Sequence, residues 1–262
     1  MQQIAIVTGG TSGIGLATAQ ALRQAGYTVY TFSRRGRGPE GLHHLCADVT
    51  DEDAVRTAVE QVIAREGRLD LVVNCAGFGI SGAVEFTDTA DAVRLFDANF
   101  FGMVRVNRAC LPYLRQSRGR ILNVSSVAAP VAIPFQAYYS CTKAAVNDYS
   151  LALANEVRPF GVTVAAVMPG DIATGFTAAR EKSAAGDDVY GGRIARSVAK
   201  MERDEKTGMA PQVAGAYLCH LARKKRLKGL YAIGFTYKFF CLLAKLLPVR
   251  VLNALVFQLY AK

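Results

Sequence analysis

Tryptophan is absent from the chain, histidine occurs three times, and six cysteines (Cys46, Cys75, Cys110, Cys141, Cys219 and Cys241) stand singly with no C-x-x-C pair. That cysteine usage argues against a disulfide framework and for a reduced, cytoplasmic protein. Two of the histidines adjoin at His43 and His44, which excludes a zinc site of spaced Cys and His ligands, and no metal is expected. No run approaches the roughly 20 uninterrupted apolar residues of a membrane span. The start of the chain lacks the basic, apolar and small-residue regions of a secretory leader. Internal repeats and low-complexity linkers are also missing, so residues 1–262 read as one domain.

Apolar residues and positive charge are plentiful. Apolar types make up 51% of the chain, enough for a large core, and the formal net charge is +10. The basic residues are scattered, apart from Arg223-Lys224-Lys225-Arg226 and Lys228. Without a nucleic-acid module or aromatic-basic interleaving, no nucleic-acid partner is expected.

Short apolar β-type runs alternate with longer helical periods, the pattern of βαβ units and a parallel sheet. Expected strands are Ile4–Thr8, Thr28–Phe32, His44–Ala47, Leu71–Asn74, Arg120–Val124, Thr163–Met168 and Leu230–Ile233. The fold class is therefore α/β, a Rossmann-type doubly wound sheet of seven parallel strands flanked by helices. A helix should open at Thr50 as N-cap with Asp53 three residues on. Gly26 and Gly67 stand where helices should end.

Directly after the first strand comes Thr8-Gly9-Gly10-Thr11-Ser12-Gly13-Ile14-Gly15. Its glycines permit a tight strand-to-helix turn and close approach of a pyrophosphate, which the helix N-terminus attracts. Further on, Tyr139-Ser140-Cys141-Thr142-Lys143 spaces a phenol and an ammonium one helical turn apart. A phenol is a poor acid or base near neutrality, and a neighbouring cation stabilises its phenolate. Tyr138 has Thr142 at that spacing instead, so Tyr139 is the proton-transfer candidate.

These motifs, in this order and with the spacing G-x-x-x-G-x-G, resemble the short-chain dehydrogenases/reductases from Ile4 to about Gly234. The resemblance implies cofactor contacts from Gly9, Thr11, Ser12, Gly13, Ile14 and Gly15, and from the adenine-contacting pair Asp48 and Val49. Asn74-Cys75-Ala76-Gly77 is similar to the family's N-N-A-G signature with Cys75 in place of the second Asn, and implies Asn74, Ala76 and Gly77. Pro169, Gly170, Ile172 and Thr174 match the turn near the nicotinamide. The family spacing selects Ser126 over Ser125 as the group that polarises the substrate oxygen, and Asn99 as the helix asparagine that links Lys143 to a proton relay. Tyr139 and Lys143 would also contact the nicotinamide ribose, with Lys143 lowering the pKa of Tyr139. At the end of the second strand the chain reads Ser33-Arg34-Arg35 with no acid. A guanidinium there suits a 2′-phosphate, so the expected cofactor is NADP(H), with Arg34 as main contact and Ser33 or Arg35 assisting.

Substrate choice in this family lies after Pro169-Gly170, here the lid at residues 171–207, with Phe176, Tyr190, Ile194, Val198 and Met201 spaced as an amphipathic cover. Phe78, Ile80, Val131, Ile133 and Phe135 add apolar side chains from two other loops, with Phe78, Ile133, Phe135, Phe176 and Ser126 the substrate contacts. The implied reaction interconverts a ketone and a secondary alcohol on a hydrophobic substrate such as a steroid, retinoid or long-chain acyl ketone. Reduction of a 3-oxoacyl carrier or a small ketone is an alternative, as is an NADP(H)-binding sensor without turnover. The tail at residues 235–262 is apolar with interspersed cations. It suits either an interfacial helix in peripheral membrane contact, aided by the 223–228 cluster, or a self-packing or dimer-forming segment. A homodimer or homotetramer is expected from family habit.

Overall fold

The computed structural model describes residues 2–262. In chain order the elements are β1 (Ile4–Thr8), α1 (Gly13–Gln24), β2 (Thr28–Ser33), β3 (His43–Cys46), α2 (Glu52–Glu66), β4 (Leu71–Asn74) and a short β5 (Ile80–Ser81). Then come α3 (Thr89–Phe96), α4 (Gly102–Ser117), β6 (Arg120–Val124), α5 (Ala137–Val157) and β7 (Thr163–Met168). The last third holds α6 (Phe176–Ala179), β8 (Glu181–Lys182), α7 (Arg193–Lys206), α8 (Pro211–Arg223), β9 (Leu230–Ala232), α9 (Phe235–Leu246) and α10 (Val249–Tyr260).

Seven strands form one parallel sheet in the order β3-β2-β1-β4-β6-β7-β9. The order reverses between β1 and β4, and in such sheets the crevice at that switch point, outside the strand C-termini, is where ligands bind. Alternation along β1 divides the core. Ile4 and Ile6 join α2, α4 and α5 on one face, with Val59, Val106 and Leu153. Ala5 and Val7 join α1 and α8 on the other, with Leu22, Ala214 and Leu218. Strands covered on both faces need continuous apolar runs, which is why β1 and β4 lack polar alternation.

Local chemistry shapes the helix ends. Asp51, not Thr50, caps α2: its side chain accepts from the Ala54 N–H, whereas the Thr50 hydroxyl turns back to Asp48. Gly67 closes that helix in the left-handed conformation at φ 70°, as a C-terminal glycine should. The basic cluster at 223–228 precedes β9 and so lies away from the strand C-termini, whereas α9 leaves from that end. β9 is only three residues long, and one aromatic pair links the two segments: Lys224 lies 5.8 Å from the Tyr231 ring, Lys238 lies 5.8 Å from the Tyr217 ring, and the two rings are 6.4 Å apart.

The segment after β7 is pinned to the loop after β4. β5 and β8 pair in parallel, Ile80 with Glu181 and Ser81 with Lys182, and Ile172 bridges to Met209. No helix among the described residues is long and apolar enough to cross a membrane.

Helix α8 lies tight on α1 at Gly215, where a Cβ would stand 2.5 Å from the Ala17 carbonyl carbon. Backbone cannot yield as a flexible side chain does, so Gly215→Val should lower unfolding free energy by ~2 kcal/mol or more through overpacking. Urea unfolding of the two proteins side by side measures this, and an unchanged midpoint would contradict the tight contact.

Candidate active site

The site is built at the switch point, from the C-terminal ends of β1, β4, β6 and β7. A cavity of about 360 Å³ opens there. Its walls include Gly9, Ser12, Gly13, Ile14 and Gly15 of the first turn, Ala76, Gly77 and Phe78 after β4, and Ser126 after β6. Ile133, Tyr139, Lys143, Pro169, Gly170, Ile172, Thr174 and Phe176 also line it, whereas Thr11, Ser33, Arg34, Asp48, Val49, Asn74, Asn99 and Phe135 do not.

The register of β4 against β6 sets Asn74 opposite Asn123. Asn74 Nδ2 donates to Asn107 Oδ1 at 2.8 Å and Asn123 Oδ1 at 2.9 Å, and Asn123 Nδ2 donates to Ser150 at 2.9 Å. This buried amide network ties two strands to α4 and α5, although Asn74 Oδ1 is itself buried without a partner. The departure at Cys75 leaves the loop well held: the Cys75 and Ala76 N–H groups both donate to Thr8 Oγ1, at 3.1 and 3.2 Å. Burial pushes the Cys75 thiol up to about 12, with the Lys143 charge opposing, so it is not a reactive thiolate.

Strand β6 and helix α5 are stitched in both directions. Ser125 Oγ donates to the Lys143 carbonyl at 2.9 Å, and Lys143 Nζ donates to the Val124 carbonyl at 3.0 Å. Lys143 is 6% exposed. Burial lowers its pKa to about 8. Tyr139 lies among Ser126, Phe176 and Lys143, with Phe176 5.7 Å away between ring centroids. Burial raises its pKa to about 12, while a hydrogen bond with Ser126 and the Arg180 charge pull it down. The expected lowering by Lys143 is not found in the protein alone. The ammonium sits 5.6 Å from the centre of the Tyr139 ring and spends a proton on Val124.

Asn99 occupies a π-helical turn, Asp97–Phe101, between α3 and α4, and such turns recur at functional sites. Its amide donates to the Phe78 carbonyl and accepts from the Phe78 N–H, both at 2.9 Å, and reaches Thr142 Oγ1 at 3.3 Å. The side chain therefore positions the loop after β4 against α5 without touching Lys143.

The first turn fits a dinucleotide pyrophosphate. Ser12, the N-cap of α1, makes no side-chain cap bond, which leaves the first N–H groups of the helix for an anion. A Cβ on Gly15 would meet the Gly9 carbonyl oxygen at 2.3 Å, so only glycine allows this closeness. Arg35 lines the cavity and donates to the Thr11 carbonyl at 2.9 Å. Arg34, expected as the leading contact, is exposed and does not reach the wall. Ser33 Oγ accepts from the Arg35 N–H at 3.3 Å. Asp48 is occupied with Thr50, and Val49 packs in the core.

With that geometry in view, relatives can be compared. A family profile described as short chain dehydrogenase matches residues 3–185. The chain belongs to the short-chain dehydrogenases. It is 41% identical over 227 residues to a 3-ketodihydrosphingosine reductase of Bacteroides thetaiotaomicron, covering 85% of this chain and 84% of that one. It is 36% identical over 181 residues to an NADPH-dependent 1-acyldihydroxyacetone phosphate reductase of Schizosaccharomyces pombe, covering 66% and 61%. The solved structure of a short-chain dehydrogenase from Streptomyces avermitilis superposes with a TM-score of 0.84 at 29% identity, over 98% of this chain and 95% of that chain. Short-chain dehydrogenases bind a nicotinamide cofactor.

On the substrate side this dehydrogenase departs from its sequence reading. Phe135 faces away from the cavity into a satellite core with Ala83, Ile194 and Ala261, edge-on to Tyr190 at 5.8 Å. Tyr190 and Val198 pack there too, and of the lid's expected apolar stripe Phe176 and Met201 line the cavity. The sequence reading passed over Asp171, Asp204, Glu205 and Tyr260, which complete the wall. Glu205 is ion-paired with Arg180, whose side chain is fully buried. Those acids lie in polar stretches that look like solvated helix faces, and Tyr260 lies far along the chain, so no local pattern announces them.

The buried ammonium gives a stability signature. Below pH 8 Lys143 is charged in the folded and unfolded protein, and the full burial cost applies. Between pH 8 and the ordinary lysine value near 10.5 the folded protein sheds its proton first, so stability rises with pH there. Relative to Lys143→Met, the protein should gain about 3 kcal/mol across that window. Urea unfolding of both proteins at a series of pH values measures the difference, and parallel curves would contradict it.

Proposed function

We propose that this short-chain dehydrogenase is an NADP(H)-dependent reductase of a long-chain lipid ketone. The observation that carries the proposal is the convergence of Tyr139, Ser126 and Lys143 on one cavity to which Phe78, Ile133, Phe176 and Met201 contribute an apolar part of the wall. When bound, the nicotinamide supplies hydride to a carbonyl carbon.

The residues of the chain do the rest. Ser126, held by the Ala128 N–H at 3.1 Å, offers its hydroxyl to the carbonyl oxygen, where charge develops. Tyr139, with its pKa raised to about 12, is protonated at neutral pH, which is the form that gives a proton to that oxygen. Lys143 is fixed beside it and has a free donor for a ribose hydroxyl. Phe176 and the lid exclude water above the tyrosine ring.

The head group is constrained by charge. Of the three acids on the wall, Glu205 is paired with Arg180 and Asp204 with Lys200, which leaves Asp171 as the carboxylate without a cationic partner, and a carboxylate repels a phosphate more than a neutral or cationic group. That favours a substrate of the 3-ketodihydrosphingosine kind, which carries an amine beside the ketone, over acyldihydroxyacetone phosphate. For the cofactor, Arg35 is the residue that reaches the cleft, with Ser33 bracing its backbone. NADPH is preferred because a guanidinium suits the 2′-phosphate and no acid stands near it.

Consumption of NADPH with 3-ketodihydrosphingosine, a 3-oxoacyl thioester and a small ketone tests the reading. The long-chain amino ketone should give the highest kcat/KM, and binding without turnover on every ketone would overturn it. Tyr139→Phe should lose ~10²–10⁴ in kcat while still binding NADPH, followed by cofactor fluorescence; undiminished turnover would remove Tyr139 from its role. Arg35→Ala should weaken NADPH by roughly 10–100-fold and spare NADH, with Arg34→Ala weaker in effect. Equal loss of both cofactors would contradict the assignment.

A further inference from the structure

Helices α9 and α10 have one fastened side and one bare side. On the fastened side the Tyr237 hydroxyl donates to Asp171 at 2.7 Å. Its ring lies so close to Gly170 that a Cβ there would come within 2.3 Å. Cys241 and Val256 are buried, Ala261 packs against Phe135 and Ile194, and Tyr260 stands in the cavity wall beneath the Lys200 ammonium. Together α9 and α10 carry more than half of the exposed large apolar side chains of the described residues. Phe235, Phe239, Leu242 and Leu246 recur at i, i+4, i+7 and i+11, an uncovered stripe along α9, and on α10 Leu255 and Leu259, one turn apart, are exposed as well. Phe235 is 88% exposed and Leu246 70%. So many exposed large apolar side chains on two consecutive helices mark an interaction surface.

Charge decides among its partners. Cations and acids are equal in number over residues 1–205, so the excess of ten positive charges lies entirely beyond Glu205. The tail itself holds Lys238, Lys245, Arg250 and Lys262 and no carboxylate, and cannot pair these charges internally. A second copy docked face to face would bring two such uncompensated sets together. An anionic lipid surface accepts both properties, taking the apolar stripe into the acyl boundary and the cations to the headgroups.

We infer that α9 and α10 form an interfacial foot that seats the protein on an anionic bilayer, with the catalytic cavity directly behind it. The inference rests on this face alone and not on the identity of the substrate.

The whole protein is mixed with vesicles of phosphatidylcholine alone, or of phosphatidylcholine and phosphatidylglycerol in equal parts, and co-sedimentation is measured. Binding should be about tenfold stronger to the anionic vesicles and should fall as salt is raised. The combined variant Phe235→Ser, Leu246→Ser and Val249→Ser should lose vesicle binding while keeping turnover of a water-soluble ketone. Lys238→Gln and Lys245→Gln should each weaken binding about fivefold. Failure of the unaltered protein to bind anionic vesicles at low salt overturns the inference. So does a triple variant that still binds, or one that turns a dimer into monomers in sedimentation velocity when neither protein binds vesicles. Because turnover is read without lipid, either failure leaves the reductase reading standing.

Discussion

The bond from the Lys143 ammonium to the Val124 carbonyl, answered by Ser125 donating to the Lys143 carbonyl, is the join on which the site depends. It fixes the end of β6, which presents Ser126, against the helix that presents Tyr139. A buried charge without such a partner would destabilise the fold or surrender its proton. Here the carbonyl keeps the ammonium in place while burial draws its pKa down to about 8. The Asn74–Asn107–Asn123–Ser150 network does the same for β4 and α4 with neutral groups. The reacting end of the cavity is therefore held by polar bonds in an apolar setting, where a wrong arrangement leaves a donor or acceptor unpaired.

The substrate end is held differently. Its lid is paired by β8 to the loop after β4, and α10 lies along α7, so the cavity wall draws on stretches from Gly9 to Tyr260. Apolar packing is joined here by ion pairs and side-chain bonds between distant segments, among them Arg180–Glu205, Arg94–Glu181, Lys182–Glu202 and Tyr237–Asp171. A cavity wall on one side of the tail and a bare apolar stripe on the other are compatible with a substrate that enters from a lipid surface.

Much of this was legible in the residues. All seven main strands fall within one residue of their expected ends, because strands buried on both faces are written as short apolar runs bounded by glycine and polar residues. The glycine turn and the tyrosine–lysine pair were readable for a similar reason: each works through neighbours close in sequence. The errors have a common origin too. Apolar spacing told that Phe135, Tyr190, Ile194 and Val198 would be covered, but not by what, and they cover one another. Arg34 and Arg35 adjoin where β2 ends, and their side chains diverge, so chemistry alone could not rank them.

By itself the sequence determined the parallel sheet, the site at its switch point and the class of reaction, since turns, helix spacing and strand burial are local. Tertiary structure decided which arginine lines the cleft, which lid residues line the cavity, and that Tyr260 closes its wall. Each of those depends on how distant segments pack, and packing directions are set by all the neighbours at once rather than by any one stretch of chain.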